Sequence, residues 1–419
     1  VERRYDLSKA GREDYLFFRN LFDTHGSEFV FLPETLAYYN FISHFPAETA
    51  DEQKVFPVQA DRPSAAPPAE LLAAAQAVGV LKIALYSSKR DRCGISTYTE
   101  HLAESLTLLG HDVRYFSSQP PYEPTFEDIL EWRPDVLHVQ HETAIMPPDS
   151  IFERYLGFLA AQGSRIMFTL HTATQAAAQL ATRVGGGRKS VITHRASDEA
   201  KGSIVIPMPC TNIGSNLGRA LLRRIFGFPE DAFVVSTVGF LIPWKSHAEI
   251  AESLTPWMLR HPNVHLQIIA SEHYNESLSG YAKDCRARLQ RLSERFPGRV
   301  RHVDEYPSDL ELVERLAASD LGYVWCPFET ASSSAAAAQF ITARCPLVAS
   351  SSGHYDGLGE GVIRGPRDSI AAFAKLIEET ASNEERLATL RAGQWETYEN
   401  RNYMMTALKH LEIYDRKDL

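Results

Sequence analysis

Two segments of this 419-residue chain carry residue types suited to holding a diphosphate. The first, Val238-Gly239-Phe240-Leu241-Ile242-Pro243-Trp244-Lys245, follows an apolar run and supplies a glycine and a lysine. The second, Pro327-Phe328-Glu329-Thr330-Ala331-Ser332-Ser333-Ser334, supplies an acid and a serine-rich turn. It continues through Gln339 into Cys345-Pro346-Leu347-Val348-Ala349-Ser350. A helix that begins in small residues presents backbone N–H groups and the positive end of its dipole to an anion. The lysine adds a charge-assisted donor for the same anion. A carboxylate beside it can accept from a sugar hydroxyl. Glu329 follows Lys245 by 84 residues, so only a fold that brings two strand ends together makes one site of them. Such a site suits a nucleotide-diphosphate sugar and sugar transfer from it.

Other candidates lie in the first half. His171, in Thr169-Leu170-His171-Thr172, stands at the carboxyl end of an apolar run, where open α/β sheets bind ligands. Its plainer alternative is a satisfied structural histidine. His138 and His141 end another run, Leu137-His138-Val139-Gln140-His141-Glu142. Their spacing resembles a metal pair, but no third ligand accompanies them, so they are expected to line a cleft. The turn Asp91-Arg92-Cys93-Gly94-Ile95-Ser96-Thr97-Tyr98 places Gly94 where backbone can approach a diphosphate or an acceptor. An ordinary strand–helix turn would read the same way. Ser351-Ser352-Gly353-His354 through Gly361 is glycine-rich but is not a dinucleotide signature. No Asp-x-Asp occurs, so no divalent cation is expected on the diphosphate, and no other cofactor is expected.

Positioning these residues requires strands that alternate with helices. Lys82–Tyr86, Asp135–Val139, Arg165–Leu170 and Ser203–Ile206 read as buried parallel strands in the first half. Phe233–Val238, Val264–Ile269, Val300–Val303, Leu321–Trp325 and Leu347–Ala349 do so in the second. A helix from Tyr98 is expected, with Leu102, Leu106 and Leu109 on one face and Thr97 and Glu100 as a capping box. The prolines and glycines of 207–218 suit a hinge. A single long helix is expected from Asn383 to about Leu411. The fold class is therefore α/β, with two doubly wound domains facing a cleft. The expected divisions are 1–70, an aromatic-rich helical extension and linker; 71–210, a Rossmann-like acceptor domain; 211–395, a Rossmann-like nucleotide-sugar domain; and 396–419, a helix crossing back to the first domain.

Order and spacing of these motifs resemble the retaining GT-B glycosyltransferases, specifically the large glycosyltransferase family 4, over residues 82–400. The resemblance implies a metal-independent enzyme that needs no carboxylate nucleophile, since front-face attack through an oxocarbenium-like state accounts for retention. By it, Gly94 belongs to the glycine loop, with Cys93 where the family often has another glycine. His171 and Glu329 contact the donor sugar, and Lys245 neutralises the diphosphate. Phe240 stands where an arginine is common. Gly239, Ser333 and Ser334 fall on the donor side. Counting back from Pro346, Gln339 takes the place of the second family acid, which holds the ribose hydroxyls.

Composition narrows the partners. The net charge of −10 and the lack of a dense Lys/Arg run argue against nucleic acid or an anionic membrane. Five scattered cysteines without a CxxC pair suit a reducing cytoplasm. Residues 1–6 lack the apolar core of a signal peptide. The expected partners are a nucleotide-sugar donor and an acceptor that stays open between glycan, lipid-linked sugar, metabolite and protein. The aromatic block at 1–47 is a candidate for self-association. Two alternatives stay open: a nucleotide-sugar-binding protein that no longer turns over, and another GT-B activity such as an epimerase or a phosphorylase.

Overall fold

Apolar runs too short for helices form twelve strands, which pair into two six-stranded sheets. The computed structural model describes residues 68–88, 93–142, 146, 149–185, 187–215, 217–273, 275–329 and 333–415. Residues 1–67 of the expected N-terminal extension, and with them the proposed self-association block, lie outside the described residues, as do Asp91, Arg92, Thr330, Ala331 and Ser332.

The first sheet contains β1 (Lys82–Ser87), β2 (Asp112–Ser117), β3 (Val136–His141), β4 (Arg165–Leu170), β5 (Val191–Thr193) and β6 (Ile204–Val205), in the order β2-β1-β3-β4-β5-β6. Its helices are α1 (Ala69–Gln76), α2 (Gly94–Leu108), α3 (Tyr122–Trp132), α4 (Asp149–Ala161) and α5 (Gln175–Val184). The second contains β7 (Phe233–Phe240), β8 (Val264–Ser271), β9 (Val300–Val303), β10 (Leu321–Val324), β11 (Leu347–Ser350) and β12 (Val362–Gly365), ordered β12-β11-β10-β7-β8-β9. Its helices are α6 (Arg219–Ile225), α7 (His247–Ser253), α8 (Thr255–Arg260), α9 (Ser279–Arg295), α10 (Asp309–Ala317), α11 (Ala335–Thr342), α12 (Ile370–Ala381) and α13 (Glu384–Arg401). A last helix, α14 (Tyr403–Tyr414), completes the described chain.

Every pairing within the two sheets is parallel, so each crossover must pass over a sheet face and cover it. Side-chain alternation in β1 shows the result. Ile83 and Leu85 pack with Leu102 and Leu106 of α2 and with Tyr403, Ala407 and Leu411 of α14. Ala84 and Tyr86 point the other way, to Phe126, Phe152 and Phe168. The second sheet is covered likewise, with Trp257, Leu289 and Phe373 on one face and Phe340 and Ile341 on the other.

Two helix boundaries differ from expectation. α2 starts at Gly94, with Cys93 as an N-cap whose side chain does not cap the helix but lies 3.2 Å from Ser88 Oγ. Thr97 and Glu100 are therefore not a capping box: Thr97 N–H donates to the Cys93 carbonyl at 3.1 Å, and Glu100 accepts from Ser96 Oγ at 3.2 Å. Ser96, Tyr98 and Thr99 are all buried, so the packed face begins a turn earlier than the leucine spacing indicates. The expected long C-terminal helix is broken at Asn402, whose side chain caps α14 by accepting from Met405 N–H at 3.0 Å. The break lets α14 turn onto the first sheet. There Tyr414 Oη bonds His138 Nδ1 at 2.6 Å, and the Tyr414 carbonyl accepts from Arg165. His138 is consequently fully buried beneath α14 and does not line a cleft.

The linker between the sheets is pinned to this returning segment. Cys210 N–H donates to the Arg401 carbonyl at 2.7 Å, Arg401 donates to the Met208 carbonyl at 2.8 Å, and Tyr403 N–H donates to Asn212 Oδ1 at 2.9 Å. The two segments that connect the sheets are thus bonded to each other at Cys210 and Asn402.

Candidate functional site

A cavity of about 250 Å³ opens between the two halves. Gly94, Tyr98, Gly239, Lys245, Ser333, Ser334 and Gln339 all line it. These residues come from the ends of strands and the starts of helices, the edge at which parallel α/β sheets bind ligands.

Lys245 ends a short 3-10 turn, Pro243–Lys245, that follows β7 directly. Its side chain is 9% exposed. The ammonium lies 3.5 Å from Tyr355 Oη and 5.6 Å from the centre of that ring, and no carboxylate is paired with it among the described residues. Burial pushes its pKa down from an ordinary 10.5 to about 8. Gly239 has a φ of +147°, one that side-chain-bearing residues rarely adopt, while a Cβ there would meet the Lys245 stem at 3.8 Å and His247 Nε2 at 3.6 Å, ordinary contact distances.

Two helix N-termini face the same cavity. α11 begins after Ser334, whose hydroxyl accepts from Ala337 N–H at 3.2 Å. The Ser334 N–H itself donates to the His354 carbonyl at 3.2 Å, so it is committed within the protein rather than held ready for a ligand. Ser333 Oγ is buried with no partner among the described residues. α2 begins at Gly94, and a Cβ placed on Gly94 would sit 4.0 Å from the Cβ of Ala335, the first residue of α11. Neither helix has an acidic residue in its first turn. Two positive dipole ends and a buried ammonium therefore converge on a cavity whose lining carboxylates, Glu305 and Asp309, make no ion pair with Lys245 among the described residues, an arrangement that favours an anion.

His171 and Glu329 are placed elsewhere. His171 lies beneath Tyr98, edge to face at 5.1 Å, and is buried. His194 Nδ1 donates to the Ile206 carbonyl at 3.0 Å, and His171 lies between two partners, its Nδ1 3.2 Å from His194 Nε2 and its Nε2 3.1 Å from Gln140 Oε1. Burial and the neighbouring histidines hold His171 well below the usual histidine range. His171 thus supports the cavity wall through Tyr98. Glu329 is not among the residues that line the cavity with Lys245. It accepts from Gly353 N–H at 2.7 Å and from Arg367, and it borders a second, open pocket of about 550 Å³ formed with residues 195–203 and Val205. Arg195 spans the two halves there, with its guanidinium 3.5 Å from Asp356.

Phe240, at the position where an arginine was expected, packs its ring against His273 at 4.9 Å and Tyr306 at 6.0 Å. Several contributors were not singled out from sequence. Thr211 in the linker donates to Gln339 Oε1 at 3.1 Å. Tyr355 stands beside Lys245. His101 of α2 bonds Asp309 of α10 at 2.7 Å across the cleft. The i, i+3, i+4, i+7 spacing of Gly94, Thr97, Tyr98 and His101 was the available signal, because it places them along one face of α2.

No protein-family model matches the sequence, and no curated protein matches it. Solved structures do resemble it. Anabaena Alr3699/HepE, in complex with UDP and glucose, is 15% identical and superposes with a TM-score of 0.58 over 79% of this chain and 98% of its own. A glycosyltransferase from Rickettsia africae is 13% identical, with a TM-score of 0.61 over 80% of this chain and 98% of its own. The sucrose-phosphate synthase of Thermosynechococcus elongatus is 17% identical, with a TM-score of 0.56 over 80% and 98%. This chain has the GT-B fold. The cavity lies at the interdomain cleft of that fold. Among the described residues no helix is long and apolar enough to cross a membrane.

Proposed function

We propose that the protein is a retaining glycosyltransferase that moves a sugar, most simply a hexose, from a nucleotide-diphosphate sugar to an acceptor without a metal ion. The observation that carries this reading is the convergence of the α2 and α11 N-termini on the buried Lys245, which no carboxylate pairs among the described residues. Departure of the diphosphate is the demanding step, and fixed positive groups in a water-poor cleft stabilise the charge that develops. Lys245 and the first turns of α2 and α11 supply them. The likeness to HepE, solved with UDP and glucose, supports a nucleotide-sugar donor.

In this reading the nucleotide occupies the 250 Å³ cavity and the sugar extends towards Glu329. The acceptor enters through the open pocket bounded by residues 195–203. Attack on the face that the diphosphate leaves retains the anomeric configuration. His171 acts through Tyr98, and Glu329 orients the sugar while fixing Gly353.

The test is thermal shift against UDP-, GDP-, ADP- and dTDP-sugars and their free diphosphates, in EDTA. One nucleotide should stabilise the protein, and Lys245→Ala should abolish that shift. No shift with any of them removes the reading. A second reading, a binding protein without turnover, is favoured by the engagement of Glu329 with Arg367. It is distinguished by donor binding without diphosphate release across an acceptor panel.

A further inference from the structure

Beside the cavity, the two halves of the molecule are bonded directly to each other. His101 stands on α2 about two turns beyond Gly94, and Asp309 opens α10 behind its N-cap Ser308. His101 Nε2 lies 2.7 Å from Asp309 Oδ2, and the two side chains are 14% and 26% exposed. A hydrogen bond to a carboxylate is charge-assisted, and partial burial spares it much of the screening that weakens surface pairs. The imidazole is held in place on its other sides. Tyr403 lies against it with ring centres 5.0 Å apart, and Glu104 is 3.9 Å from Nδ1. One turn earlier on α2, Thr97 faces the Tyr306 hydroxyl, and the Tyr306 ring stacks on Phe240 at 6.0 Å. Thr97, Tyr306 and Asp309 all line the cavity.

The pivot about which the halves could part lies at the linker. Thr211 donates to Gln339 at 3.1 Å, and Asn212 accepts from Tyr403 N–H at 2.9 Å, so the chain is tied to both halves there. A further ion pair across the cleft, Arg195 with Asp356 at 3.5 Å, involves an aspartate that is 49% exposed, and such a pair contributes little. The cavity itself measures about 250 Å³, short of the roughly 300–1,000 Å³ of pockets that enclose small-molecule ligands and cofactors. A nucleoside diphosphate therefore needs a wider cleft, and widening it at the α2–α10 end separates His101 from Asp309.

We propose that the His101–Asp309 bond is an autoinhibitory latch: it holds the ligand-free cleft shut, and a nucleoside diphosphate binds only the unlatched form. The inference rests on the glycosyltransferase reading for the identity of the ligand. A protein that must unlatch before it binds has its apparent affinity reduced to the fraction of molecules that are unlatched. Loss of a hydrogen bond to a charged group shifts such an equilibrium by about tenfold or more.

The experiment is stopped-flow binding of UDP, GDP, ADP and dTDP to the full chain in EDTA, together with interdomain distances from pulsed electron paramagnetic resonance. Spin labels go on Phe158→Cys and Leu259→Cys, exposed positions with one in each half, while the five native cysteines are buried. For the nucleotide that binds, His101→Phe and Asp309→Ala should each raise the association rate about tenfold and leave the dissociation rate unchanged. Each should also lengthen the label distance in the ligand-free protein. The double variant should do no more than either single one, because both break the same contact. Charge alone predicts otherwise: removing Asp309 favours an anion, and removing His101 does not. A faster association in Asp309→Ala without one in His101→Phe, or a label distance unchanged in every variant, overturns the latch and leaves the donor site intact. Binding by none of the four nucleotides overturns the glycosyltransferase reading, and the label distances then decide the latch by themselves, longer in the variants if it exists and unchanged if it does not.

Discussion

Replacing Lys245 by methionine should make the ligand-free protein more stable, not less. Lys245 is buried, and its nearest polar neighbour is the Tyr355 hydroxyl at 3.5 Å. Burial lowers its pKa from 10.5 to about 8, which corresponds to about 3 kcal/mol of unfavourable interaction with the charged form. The sign follows from proton counts. Below pH 8 the lysine is charged in both folded and unfolded chains, so the fold bears the full cost. Between pH 8 and 10.5 the folded form has released its proton and the unfolded form has not, so stability recovers as pH rises. Above 10.5 the cost is gone. Lys245→Met keeps the stem and removes the charge, so the gain over wild type should reach about 3 kcal/mol near neutral pH and fade through the window from 8 to 10.5. In a domain of this size that is roughly 2–4 °C of Tm for each kcal/mol. Urea or thermal unfolding of both proteins, at a series of pH values and without nucleotide, reads it directly. A variant no more stable than wild type near neutral pH would refute the reasoning. A gain that persists undiminished at high pH would do the same.

Other outcomes follow from the same geometry. Burial holds His194 and His410 at about 4, and His138 and His171 well below 6.5. Unfolded histidines take up protons from about pH 6.5 downwards, so stability is complete above that value and falls between 6.5 and 4. Acid titration followed by circular dichroism should show this loss, and His410→Leu should make it shallower. Gly239→Ala forces a side chain into φ +147° against Lys245 and His247; it should cost about 1–3 kcal/mol in urea unfolding and weaken diphosphate binding. Glu329→Gln should change stability by less than about 1 kcal/mol, because its pair with Arg367 is exposed, yet it should lower the rate of diphosphate release in a coupled assay.

The central strands were legible because they are apolar runs buried on both faces. Arg165–Leu170 coincides with β4, and Val300–Val303 coincides with β9 although β9 is an edge strand. The strands that sequence did not show are β2, β5 and β12. β2 and β12 are edge strands, and their residues are mostly half-exposed, so no continuous apolar run marks them. β5 is three residues long. Within the site, the motifs told which strand ends carry lysine, glycine, serine and glutamine, and the fold places these on one cavity. They did not tell which way a side chain turns at a strand end. His171 turns down into a histidine cluster, and Glu329 turns out to Arg367. The meeting of the α2 and α11 N-termini, and the tie from Thr211 to Gln339, join residues far apart in sequence. Neither leaves a local pattern.

The most direct measurement is the structure of the protein with the nucleoside diphosphate that stabilises it, grown without divalent metal. The account predicts phosphate oxygens within about 3 Å of Lys245 Nζ and of backbone N–H groups in the first turns of α2 and α11. A diphosphate bound away from Lys245, or held there only through an added cation, would contradict it.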